Sequence, residues 1–444
     1  MKPDLLSKLT PHGLIASPLL MVCRIFHILY CLFIRYFFHS EMYNKYHDIP
    51  LPSDAVFAED TWQSFQYIEW TFRRLPSLHR ITQMANKWSM LNFRRPAFVR
   101  TTDQLAKQYI QDITKQKPSE VIVGSPHMIV YCPRSSTLIV FADHYYCDGH
   151  TLLSIVKIFF AEQEQTFPQF PKYRYIPLLS DSMVADLACR QMLDAYRYPS
   201  QLSGIGDRTM ILTRQFFESD PMLVCQPREN KRWSNYAMAV LPLFDAMPDV
   251  EYMRIGLTVG FETSQRYGNN RIGVIVVRIH RPKHLVGVER LNFVSDQFRS
   301  QASSRFVDAH TSYDIIRDFS SSTLRCWGRN TIDAVFTSLF SKGGDGKIHA
   351  KSHPLTQVIG GFAGPYPDSK QLYINSYTAA GRTFVTYMTN LKQIQTNVLI
   401  EQHSMVIRYS FPHPNPTPIR HDCLPNDCLP NDCSTTSAGT LNDQ

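Results

Sequence analysis

No Cys-x-x-Cys pair occurs in the 444 residues, although ten cysteines are present. That absence excludes a zinc ribbon and a thioredoxin-type redox pair. No run of five or six basic residues occurs either. The net charge of +8 is spread thinly, which disfavours a nucleic-acid stripe and leaves no nucleic-acid partner to expect. A small-residue cleavage site is missing after the apolar N-terminal stretch, so that stretch does not read as a signal peptide. Nor does a chain of this length need a disulfide framework, and the cysteines read as reduced thiols facing the cytosol.

What is present is ordinary for a folded protein: 44% apolar and 19% charged residues, enough to bury a large core in two or three domains or one two-lobed unit. Residues 13–38 are apolar and aromatic, interrupted by Arg24 and Arg35. Those arginines are about three helical turns apart and share a face with His27. The stripe predicts a helix lying in the membrane interface with its cations toward the headgroups; a transmembrane span and a soluble core helix are the alternatives. Four regions follow. Residues 1–43 are a membrane-associating segment, 44–226 a first lobe, 227–410 a second lobe, and 411–444 a tail. The tail holds Pro412, Pro414, Pro416 and Pro418, then Cys423, Cys428 and Cys433 in a near-repeat, a composition that predicts disorder.

The pattern within the lobes is α+β. Helices are expected over 61–72, 103–114, 150–163, 182–195 and 287–306. Strands are expected over 127–132, 136–143, 236–243, 254–262, 271–279, 371–378, 382–389 and 404–410. Pro133-Arg134-Ser135 reads as the turn of a hairpin. The polar stretch 227–235 reads as the crossover between lobes.

One stretch concentrates chemistry: Phe141-Ala142-Asp143-His144-Tyr145-Tyr146-Cys147-Asp148-Gly149-His150. A histidine at the end of a strand, before a turn and a helix, projects into a cleft, where neutral imidazole can take and return a proton near pH 7. Asp148 can fold back across the turn and fix the loop, with Arg271 or Arg382 as a partner. Gly149 frees the backbone where the next helix begins. Other readings of the same stretch are a Cys147–His144 nucleophile pair and a metal site of His144, Asp148 and His150. Lys342, Lys347 and Lys351 flank a Gly-rich loop suited to phosphate. The tail cysteines with His421 match no common zinc module.

The His-x-x-x-Asp-Gly arrangement resembles that of the CoA-dependent acyltransferase superfamily, and within it the wax ester synthase/diacylglycerol acyltransferase branch. Three further stretches carry the likeness: Tyr267-Gly268-Asn269-Asn270-Arg271-Ile272-Gly273, Val288-Glu289-Arg290-Leu291, and Gly361-Phe362-Ala363-Gly364-Pro365. Asp143 stands where that branch commonly has the first of two adjacent histidines, and Tyr145 where it has a small residue. The Asp-Phe-Gly-Trp-Gly motif of the plant enzymes is absent. The resemblance implies a two-lobed chloramphenicol acetyltransferase-like fold, each lobe a mixed sheet with packed helices and an active-site tunnel between them. It implies His144 as general base, Asp148 as structural support and Gly149 at the turn. Acyl-CoA would be a substrate rather than a cofactor, and no metal would be needed. The acceptor would be a lipophilic alcohol, meeting the enzyme at a cytosol-facing membrane, the endoplasmic reticulum in a eukaryote. Amide formation on the same scaffold, or a binding module without catalysis, are the alternatives.

Overall fold

The computed structural model describes residues 65–93, 96–113, 127–143, 177–202, 205–217, 231–260, 272–305, 307–312, 331–339, 355–363, 372–379 and 382–395, with helical positions 18, 21, 22, 25, 26 and 29. In chain order the elements are β1 (Phe65–Phe72), α1 (Leu78–Phe93), β2 (Phe98–Thr101), α2 (Ala106–Ile113), β3 (His127–Cys132), β4 (Thr137–Asp143), α3 (Pro177–Arg197), β5 (Ile205–Phe217), α4 (Lys231–Ala246), β6 (Tyr252–Gly260), β7 (Ile272–His280), α5 (Gly287–Ser304), β8 (Ala334–Leu339), β9 (Leu355–Ala363), β10 (Leu372–Ala379) and β11 (Arg382–Leu391). They form two mixed sheets, of order β2-β3-β4-β1-β9 and β5-β11-β10-β8-β6-β7.

The first sheet is buried on both faces. Ile68, Trp70 and Phe72 point to one side of β1, where Ile81 and Ala85 of α1 cover them. Tyr67 points to the other, where Ala106, Tyr109, Ile110 and Ile113 of α2 cover it. That i, i+3, i+4, i+7 spacing puts four apolar residues on one helical stripe. Ser77 starts α1, its hydroxyl accepting from the Arg80 amide at 3.3 Å, as a cap residue does. β3 and β4 are joined by a 3-10 turn over Pro133–Ser135, as the sequence predicts.

In the second sheet, α4 and α5 cover the face formed by Met253, Ile255, Leu257, Ile275, Val277 and Ile279. Leu291, Val294 and Phe298 of α5 are fully buried, each worth about 1.5–3 kcal/mol of burial. β7 is an edge strand, and α5 closes that edge with side chains. Gln297 accepts from the His280 amide (2.8 Å) and donates to its carbonyl (3.1 Å). Gln301 does the same for Arg278, at 2.9 and 2.6 Å. Arg305 donates to the Val276 carbonyl at 2.5 Å, and the Ser312 hydroxyl accepts from the Val274 amide at 2.6 Å. Gly273 lets the Ala309 carbonyl approach where a Cβ would lie 2.0 Å from it. An edge masked this way cannot template pairing with another chain.

Four expectations are corrected. Residues 65–72 are a strand, not part of a helix: Phe65-Gln66-Tyr67-Ile68-Glu69-Trp70 alternates faces and pairs with β4 and β9 on both edges. Residues 236–243 are the middle of helix α4, not a strand. An unbroken apolar run carries no period to separate the two, and α4 is buried on nearly every side. Nor is 227–235 simply a crossover, because α4 begins at Lys231. The boundary expected at 227 also cuts across both sheets. β5, before it, pairs with β11, and β9, after it, pairs with β1. The expected helix 150–163, the strand 404–410 and the tail 411–444 lie outside the described residues.

Candidate functional site

β4 is the central strand of the first sheet, and it ends at Asp143. His144, Asp148 and Gly149 lie outside the described residues, as do Cys147, His150, Arg271, Lys342, Lys347, Lys351, His421 and the tail cysteines; of Arg382 only its place at the start of β11 is described. The surroundings of the strand end are described. Asp143 pairs with Phe65 of β1, which in turn pairs with Ala363, the last residue of β9. His127 of β3 pairs with Ala142. Three strand termini therefore meet at the rung from which residue 144 departs.

That rung lies beside the seam between the sheets. On β9, Gly360 faces the Tyr377 hydroxyl of β10, where a Cβ would sit 2.1 Å from it. Gly361 faces the Tyr67 hydroxyl and the Met388 sulfur of β11, at 2.7 and 2.8 Å from the same ideal position. Without side chains, these two residues let aromatic groups from both sheets close on one strand.

Burial shifts several ionisable groups of this sheet and its seam: His127 lies one rung from the strand end, Glu69 pairs with Ile139 in mid-strand, and Cys132 pairs with Thr137 at the opposite end of β4. His127 is completely buried, and burial lowers its imidazole to about 3. Glu69 keeps part of its surface in solvent; burial of the rest raises its carboxyl to about 7, against a downward pull from Lys107. Cys132 is pushed up to about 12 by burial, then by Glu69. Burial also raises the phenols of Tyr67 and Tyr377 well above their ordinary range, with Glu69 and Tyr377 adding to the first. Burial in a low dielectric disfavours the charged form of each of these groups. Sequence reading passed over His127, Tyr67 and Glu69. A glutamate within an aromatic run was the one visible sign.

No protein-family model matches the chain, and no curated protein matches it in sequence. Solved structures do match it. The chain is similar to the starter condensation domain of rhizomide synthetase, at TM-score 0.51 and 11% identity, over 84% of this chain and 96% of that one. It is also similar to a nonribosomal peptide synthetase with bound alpha-methyl-L-serine-AMP, at TM-score 0.52 and 12% identity, over 82% of this chain and 45% of that larger one. At such identities the likeness establishes the fold: two lobes, each a mixed sheet with packed helices, of the chloramphenicol acetyltransferase-like type.

Proposed function

We propose that the protein is an acyltransferase that moves a fatty acyl group from acyl-CoA to a lipophilic alcohol, a long-chain alcohol or diacylglycerol, with His144 as general base. The observation that carries this reading is the course of β4. It runs through the centre of the first sheet and ends one residue before the His-x-x-x-Asp-Gly segment, beside the seam with the second sheet. In the proposed reaction His144 takes the hydroxyl proton as the alcohol oxygen attacks the thioester carbonyl. The tetrahedral intermediate collapses by expelling the CoA thiolate, which receives that proton. Asp148 and Gly149 hold the loop. No covalent enzyme intermediate is involved.

The membrane enters as a partner on a separate observation. Met21, Val22, Ile25, Phe26 and Leu29 are helical and exposed, Phe26 at 69%. At 100° per residue these five fall on one face. An apolar face left in water supports docking of residues 13–38 to a lipid surface on the cytosolic side. Among the described residues no helix is long and apolar enough to cross a membrane.

The likeness to condensation domains favours a second reading, acyl transfer to an amine on the same scaffold. Product formation from labelled palmitoyl-CoA, offered hexadecanol, diacylglycerol or a long-chain amine, separates the two. Ester is expected, falling by about 10²–10⁴ in His144→Ala. Equal product from the variant removes His144 as base; amide alone supports the second reading; no product with any acceptor leaves a binding module. Deleting residues 1–40 should release the protein from membranes, and unchanged membrane recovery would end the docking proposal.

A further inference from the structure

A cavity of about 120 Å³ lies between α3, β7 and the turn that follows α5, with four charged side chains in its lining. Its place is the β7 edge of the second sheet, whereas β9 meets that sheet at β10 and β11. It is therefore separate from the β4 strand end. Arg190 and Asp194, about half and a third exposed, form its mouth; Gln191, Val276 and Thr331 are buried in its lining.

Three groups in this lining lack what their neighbours have. Gln191 is only 9% exposed, and its Oε1 accepts no hydrogen bond from any described residue. Buried acceptors in native proteins are almost always satisfied. The second group is the Val276 amide. Gln297 and Gln301 each give the β7 edge a donor and an acceptor, at His280 and Arg278. On the next rung, Arg305 supplies only a donor, to the Val276 carbonyl. In an antiparallel strand a residue's N–H and C=O point the same way, so the Val276 N–H faces outward too. Among the described residues nothing accepts from it. The third is Arg305 itself. Arg190 is held by Asp186 at 2.8 Å and Asp308 at 3.0 Å, and Arg278 by Asp194 at 2.5 Å, yet among the described residues no carboxylate pairs with Arg305.

These requirements are complementary across a small space. One side offers two kinds of N–H donor, the Val276 amide and a guanidinium with its charge unanswered. The other offers a buried acceptor, with the carboxylates of Asp194 and Asp308 nearby. The four charged side chains of the lining sum to zero, so a ligand carrying one charge of each sign leaves the balance unchanged. A planar guanidinium beside a backbone N–H suits a carboxylate, and Oε1 of a glutamine suits an ammonium N–H. We infer that this cavity binds a small zwitterionic amino acid, with its carboxylate on Arg305 and the Val276 amide and its ammonium on Gln191. The site is independent of acyl transfer and would serve as a second, ligand-sensing position on the far edge of the second lobe.

Calorimetric titration of the full chain tests this with glycine and L-alanine as probes, and with acetate, ethylamine and glycine betaine as partial ones. Saturable binding of glycine or alanine is expected, with each partial probe at least about tenfold weaker, because each leaves a buried group unpaired. Arg305→Met and Gln191→Met should each weaken glycine binding by about tenfold, their melting curves reporting whether they fold. No saturable binding of either zwitterion leaves the cavity to water and overturns the proposal. Acetate or betaine binding as tightly as glycine overturns the two-ended assignment. That comparison uses only the wild-type chain and stands whether or not the variants fold.

Discussion

The two sheets hold their buried acidic and basic side chains differently. In the second sheet the buried charge is closed on itself. Arg254, 1% exposed, holds Asp333 through Nη2 at 2.8 Å and Nε at 3.1 Å, and the same carboxylate accepts from the Arg254 amide at 2.8 Å. The Asp333 amide returns a bond to the Arg254 carbonyl. In the first sheet burial disfavours the charged forms instead. Burial lowers the His127 imidazole and raises the Glu69 carboxyl, and Cys132 and Tyr67 stay protonated. A matched pair fixes geometry. A set shifted by burial is sensitive to pH, and it surrounds the strand that leads to His144.

The comparison can be broken most severely at the pair. Arg254→Met leaves Asp333 buried with no counter-charge and should destabilise the fold by about 3–5 kcal/mol. Adding Asp333→Leu should recover most of the loss, and a chemical-denaturation series of wild type, single and double variants measures both. Next is the seam. Gly360→Ala drives a methyl group into the Tyr377 ring and should cost about 1–3 kcal/mol, with Tyr377→Leu in the same chain relieving it.

The first sheet's titration comes next. His127 binds its proton more weakly folded than unfolded, so its contribution is full above the unfolded value near 6.5 and declines as pH falls toward about 3. Wild type should lose about 2 kcal/mol between pH 6.5 and 5 from this group alone, and His127→Leu should flatten that part of the profile. Glu69 acts in the other direction and more weakly, being partly in solvent. Its folded carboxyl binds the proton more tightly than the unfolded one, so stability falls as pH rises toward about 7 and is level above it. Glu69→Gln should raise the melting temperature at pH 8 more than at pH 5; an equal rise at both would show that its charge is not what matters.

The parts legible in the sequence were those whose pattern is local. The β3–β4 hairpin announces itself by alternation on either side of Pro133-Arg134-Ser135, and α5 by Leu291, Val294 and Phe298 at helical spacing. Helix α4 was misread because Tyr236-Ala237-Met238-Ala239-Val240-Leu241 is apolar on every side, which suits a buried strand equally. β9 went unrecognised as a strand because Gly360 and Gly361 interrupt its pattern, and their purpose depends on Tyr377, Tyr67 and Met388, far away in the chain. At the candidate site the motif residues were visible, and so was the strand before them. That this strand would be the centre of its sheet was not, since strand order comes from long-range pairing. The cavity at Gln191 was invisible for the same reason: it joins α3 to residues 276, 305 and 331.

The pairing of β1 with β9 has a consequence for how the chain is made. Phe65 lies opposite Ala363, about 300 residues later, so a ribosome must translate most of the protein before β1 meets its second neighbour. Contacts of such sequence separation slow folding, and until they form, one edge of β1 stands open. The emerging chain therefore presents one open edge of an aromatic-rich strand whose partner among the described elements is β9. A stall or truncation anywhere between residues 143 and 355 would leave that edge exposed and the nascent protein dependent on chaperones.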